Sequence, residues 1–180
     1  MKKKLIRTDS KAIIGSVILG ILWLLISQAS GAIDNMFFWG KAGMLILNGA
    51  VWAIATAVIV LTYKQPAGII AGLVEGVTSM FYSPALWVFL TLANVAGALI
   101  YTLCDRLMDM DRMSHHFIAQ IVNNYIGNAI VGVGLYVVYD LPANAAVLCS
   151  LITATAGWII SAPVTAAVMK KITKSGLADN

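Results

Sequence analysis

Charged residues in this chain are confined to its ends and to a few short turns, and the apolar runs between them have the length of membrane-spanning helices. The runs cover residues 11–33, 42–63, 66–81, 85–104, 117–139 and 144–169. Pro66 follows Lys64 and Gln65, Ser83 and Pro84 close the third run, residues 105–116 are polar, and Asp140, Leu141 and Pro142 form a turn. Of the 180 residues 60% are hydrophobic and 11% charged, against roughly 45–50% and roughly 25% in soluble domains. Six spans of about 20 residues would use about 120 positions. The expectation is an all-α membrane protein, a six-transmembrane-helix bundle forming one domain over residues 1–180, with no separate catalytic or nucleotide-binding domain. The first run lacks a small-residue cleavage site and reads as a retained helix. The third is short for a span, and Pro163 predicts a kink in the sixth.

Orientation follows from the basic residues, which stay on the cytoplasmic side during insertion. With the N-terminus inside, Lys2, Lys3, Lys4, Arg7, Lys11, Lys64, Arg106, Arg112, Lys170, Lys171 and Lys174 all fall inside, and only Lys41 falls outside. The pattern predicts an even number of spans and both termini cytoplasmic. The net charge of +4 is therefore a matter of topology and not of nucleic-acid binding. Cys104 and Cys149 fall near opposite faces and read as small apolar thiols, out of reach of a disulfide.

Among the acidic residues only Glu75 lies in mid-span; Asp9, Asp34, Asp105, Asp109, Asp111, Asp140 and Asp179 fall in tails, loops or helix ends. A carboxyl group in hydrocarbon costs several kcal/mol unless paired, protonated or facing a wet cavity, so Glu75 is the first candidate functional residue. Gly68, Gly72 and Gly76 recur at intervals of four on the same helix and let a neighbour approach closely. That geometry turns Glu75 toward the protein interior. Asn94, Asn123, Asn124 and Asn128 supply uncharged amides, with Asn124 and Asn128 one turn apart beside Tyr125. Each could serve as interhelical glue; together with a carboxylate they resemble the few polar groups of a small-molecule pocket. Phe37, Phe38, Trp39, Tyr82, Trp87, Tyr136, Tyr139 and Trp158 are candidate aromatic walls, or else residues of the interfacial belt. Ala12, Ser16 and Gly20 give the first helix a smooth face. His115 and His116 are adjacent, cannot share a helical face, and read as part of a solvated loop with no metal site. Catalytic and nucleotide-binding motifs are absent, and a lone carboxylate defines no reaction class, so no enzyme and no bound cofactor is expected.

Taken together, the length, the six helices with both ends inside, the basic N-terminal tail and the small-residue face of the first helix resemble the substrate-binding membrane subunits (S components) of energy-coupling factor (ECF) transporters, the vitamin importers of prokaryotes. The stretch from Lys64, Gln65, Pro66, Ala67 and Gly68 to Glu75 and Gly76 is similar to the thiamine-precursor (hydroxymethylpyrimidine) branch. The resemblance implies a vitamin-like ligand held near the outer face by Glu75, Asn94, Asn124, Asn128, Trp158, Tyr125, Tyr82 and Trp87, with Phe38 and Trp39 in the gate. It implies that Ala12, Ser16 and Gly20 dock the coupling membrane subunit, with serine and glycine standing where the family has alanine. Two cytoplasmic ATPases would supply the energy, and the chain would sit in a prokaryotic cytoplasmic membrane. Two other readings remain: a stand-alone secondary carrier with Glu75 as proton or cation relay, and a structural subunit of a larger membrane complex.

Overall fold

The computed structural model describes residues 5–37 and 45–176, and apart from one isolated bridge between Ile6 and Gln65 its regular structure there is helical. The helices are α1 (Ser10–Phe37), α2 (Ile46–Tyr63), α3 (Ala67–Thr78), α4 (Trp87–Leu107), α5 (Met113–Val138) and α6 (Ala143–Lys174), with a 3-10 turn, Ser79–Phe81, continuing α3. Five of them are long and apolar enough to cross a membrane. The third run, expected to be short for a span, forms α3 of 12 residues, about 18 Å at 1.5 Å per residue against a hydrocarbon core of roughly 30 Å, and the 3-10 turn carries it on to Phe81. α6 continues past Pro163 to Lys174 as one helix.

Side-chain size is sorted in the manner of a membrane bundle. The fully buried apolar residues include Ala12, Ala53, Ala57, Ala71, Ala119, Ala154 and Ala162, while Ile14, Ile18, Leu22, Leu25, Leu99, Val133, Leu148 and Ile159 face outward. Lipid is as apolar as leucine, so bulk gains nothing by turning inward, and small residues let the backbones approach. Around the bundle α1, α3, α4, α5 and α6 each touch the next, and α2 packs against all five.

Two ends can be distinguished. At the basal end, Arg7 donates its backbone N–H to Gln65 O (2.7 Å) and Gln65 donates to Leu5 O (3.0 Å), tying the chain before α1 to the turn between α2 and α3. In that turn Lys64 has φ of 63°, a left-handed conformation unusual for a non-glycine residue. Its ammonium reaches Asp105 Oδ2 of α4 at 2.8 Å, and both side chains are largely buried. Asp105 was expected in a loop; α4 runs on to Leu107 and carries it inside. Leu61, Tyr101, Cys104, Met110, Ala119 and Met169 pack together here, joining α2, α4, α5 and α6. At the apical end Leu86, Leu135, Ala146 and Cys149 close the bundle. The start of α1 and the end of α6 thus lie at the same, basal end.

Candidate functional site

Glu75 sits two turns into α3, where Gly72 and Gly76 bring α4 against the helix. A Cβ on Gly72 would stand 3.1 Å from Asn94 Cβ, and one on Gly76 would stand 2.6 Å from Thr91 Cα. Glycine is therefore what allows the approach, and the approach lays Asn94 over the carboxylate. Asn94 donates from Nδ2 to Glu75 Oε2 at 2.6 Å and to Gly72 O at 3.0 Å. The Tyr82 hydroxyl donates to Glu75 Oε1 at 2.8 Å.

The two donors differ in freedom. Asn94 is buried and fixed by two helices, whereas Tyr82 follows the 3-10 turn, outside any helix, and is 40% exposed over a carboxylate that is 5% exposed. The phenol thus ties the apical turn to α3. A carboxylate offers about four lone-pair positions; Asn94 and Tyr82 take one on each oxygen. The remaining capacity suits a donor-bearing or cationic ligand, through charge-assisted hydrogen bonds. Trp87, half-buried, begins α4 two turns above Asn94 and on the same face.

The other expected site residues lie elsewhere. Asn124 donates from Nδ2 to Gln120 O (2.8 Å) and Gln120 Oε1 (3.1 Å), and Asn128 donates to Asn124 O (2.9 Å). Gln120 in turn donates to Thr165 Oγ1 of α6 (2.9 Å) and Ala53 O of α2 (3.2 Å). These amides form a separate polar ladder that joins α5 to α6 and α2. Tyr125 is exposed and bonds Thr155 (2.9 Å). Trp158 packs edge-on against Phe117 with ring centroids 6.3 Å apart. Of the eight expected contacts, Glu75, Asn94 and Tyr82 are brought together by hydrogen bonds, while Asn124 and Asn128 bond along α5, Tyr125 bonds Thr155 of α6, and Trp158 packs on Phe117. Phe38 and Trp39 lie outside the described residues.

The docking face also needs correcting. Ala12, Ser16 and Gly20 are buried, and a Cβ on Gly20 would meet Ala71 O and Val74 Cβ, each at 3.0 Å. α3 of the same chain packs against this face at Gly20.

Sequence reasoning missed several groups. Asp34, expected at a helix end, is fully buried and accepts the Leu47 and Asn48 N–H groups, each at 2.8 Å. Gln120 was legible in principle, since it precedes Asn124 and Asn128 at the same spacing of four. His116, expected in a solvated loop, begins that series on α5 and is buried. The indole N–H groups of Trp23 and Trp52 are buried without partners among the described residues, and no sequence signal marks them. Comparison with protein-family models, with curated proteins and with solved structures finds no match.

Proposed function

We propose that this chain is the substrate-binding membrane subunit of an ECF-type importer, capturing a vitamin or related micronutrient for inward delivery while partner subunits hydrolyse ATP. The observation that supports this most is the Glu75 carboxylate, enclosed by the bundle, held by Asn94 and Tyr82, and left with acceptor capacity. Both chain ends at one end of the bundle accord with the two-ends-inside arrangement of S components. Thiamine and its aminopyrimidine precursor suit the site, since an exocyclic amine or ring cation would bond the carboxylate directly. Because Ala12, Ser16 and Gly20 are buried, contact with a coupling subunit falls to other surfaces of the bundle.

A ligand that binds only the folded protein stabilises it by about 2.7 kcal/mol at one hundred times its Kd. The test is therefore thermal unfolding of detergent-purified protein against a panel of vitamins and precursors, repeated on Glu75→Gln. One compound should raise Tm strongly in the wild type and far less in the variant. If none does while both proteins are folded, the binding-subunit reading is lost. A stand-alone carrier is the second reading. It is favoured by the fact that Glu75 makes no ion pair among the described residues, as a proton or cation relay would require. Uptake by proteoliposomes containing this protein alone would select it.

A further inference from the structure

Asn123 differs from every other amide in the bundle. It is fully buried, yet neither Nδ2 nor Oδ1 has a hydrogen-bond partner among the described residues. Gln120, Asn124 and Asn128 all donate their amides within the α5–α6 ladder, so Asn123 is not part of that glue. Its neighbour across the interior is Trp52 of α2, whose buried Nε1 also lacks a partner. The two meet at Gly97 of α4, where an added Cβ would lie 2.8 Å from Asn123 Oδ1 and 2.9 Å from Trp52 Cζ2. Gly97 is three residues beyond Asn94, placing this layer one turn of α4 below the Glu75 carboxylate.

Trp52 fills the layer. Its indole lies between Gly97 and Gly127 and packs against the cluster of Trp23, Ile59, Ala67 and Ala71, but its N–H makes no hydrogen bond. The residue is only half-buried, and a flat ring entering between Gly97 and Gly127 would displace the indole without breaking a hydrogen bond. An unpaired buried amide is costly in the empty state. The same amide offers one donor beside one acceptor in a plane, the pattern with which asparagine reads the amino edge of a heterocyclic base.

We infer that Asn123 and Trp52 form a second recognition layer beneath Glu75, reading the adjacent donor and acceptor of a planar nitrogen heterocycle that bears an exocyclic amine. This rests on the ligand-binding reading of Glu75 given above, in which one amine N–H meets the carboxylate, and adds the two residues that read the other N–H and the ring nitrogen beside it. Occupancy would convert two unpaired polar groups into paired ones at the moment of binding.

The test uses the full chain in detergent, with 4-aminopyrimidine as probe and pyrimidine, which has the same ring without the amine, as control. Asn123→Leu keeps the side chain's size and removes the amide; Trp52→Phe keeps an aromatic slab and removes the N–H. Without any probe Asn123→Leu should melt at or above the wild-type temperature, because no partner is lost. With 4-aminopyrimidine the wild-type Tm should rise, and the rise should fall at least threefold in each variant relative to its own unliganded melt; pyrimidine should shift none of them. A lower unliganded Tm for Asn123→Leu would make Asn123 a structural residue and overturn the inference. So would a full 4-aminopyrimidine shift in both variants, even where Glu75→Gln abolishes it, and that result leaves the ligand-binding reading standing. No wild-type shift with the probe or any panel compound overturns both.

Discussion

A carboxylate near the C-terminal end of a helix opposes that helix's own dipole, and Asp34 stands in the last turn of α1. Its position is explained by the next helix. Leu47 and Asn48 are among the first residues of α2, whose leading N–H groups have no partners within the helix, and Asp34 accepts one with each oxygen. An aspartate thirteen residues upstream thus does what an N-cap side chain does locally, in an apolar setting with no water to substitute. Asp34→Ala should destabilise the protein by about 2 kcal/mol or more, read as a lower Tm in detergent. A Tm equal to wild type would mean that α2 begins without this cap. Glu75 was legible in the sequence because a charge amid apolar residues has no bland explanation. Asp34 was not, because its partner is a backbone brought near by the fold.

Helical faces were legible in the sequence, but their partners were not. The spacing of Ala12, Ser16 and Gly20 correctly marks a smooth face, yet spacing cannot tell an internal neighbour from a foreign one, and α3 packs on it at Gly20. The glycine row on α3 was read as a close approach and is one, with Asn94 and Thr91 of α4 opposite. The length of α3 was harder, since its apolar run continues through Phe81 while the α-helix stops at Thr78. Packing at these faces gives a direct contrast. A Cβ at Gly127 would stand 2.2 Å from Trp52 Cη2, whereas one at Gly31 would meet only the Asn48 side-chain amide at 3.2 Å. Gly127→Ala should therefore cost roughly 1–3 kcal/mol through overpacking. Gly31→Ala should change stability by less than about 1 kcal/mol, with helix propensity on its side. Equal melting temperatures for the two variants would show that Trp52 yields to the added methyl.

For the molecule as a whole, the alternation of helices brings Lys64, Asp105, Met169 and the segment before α1 to the basal end, and Leu86, Leu135 and Ala146 to the other. The Lys64–Asp105 pair locks α2 to α4 there. Removing the ammonium, as in Lys64→Met, takes a cation from beside a buried carboxylate and should cost about 3 kcal/mol, read as a lower Tm in the same thermal melts. Which end faces the cytoplasm is a separate question, for which charge supplies the expectation of a cytoplasmic basal end: Lys64, Arg106, Arg112, Lys170, Lys171 and Lys174 are basal or lead into the basal turns, and basic residues resist translocation. The assignment predicts opposite labelling at two exposed positions. Cys104 and Cys149 are buried, so a single cysteine introduced at Asn144, at the start of α6, or at Ser175, just past its end, can be read over a low background. In intact cells a membrane-impermeant maleimide should label Asn144→Cys and spare Ser175→Cys until the membrane is opened. The reverse pattern would invert the bundle and turn the Glu75 site, which lies on the apical half of α4, toward the cytoplasm. A chain with that topology could not capture a ligand from outside in its resting state, so this labelling result governs how every binding measurement on Glu75, Asn123 and Trp52 is to be interpreted.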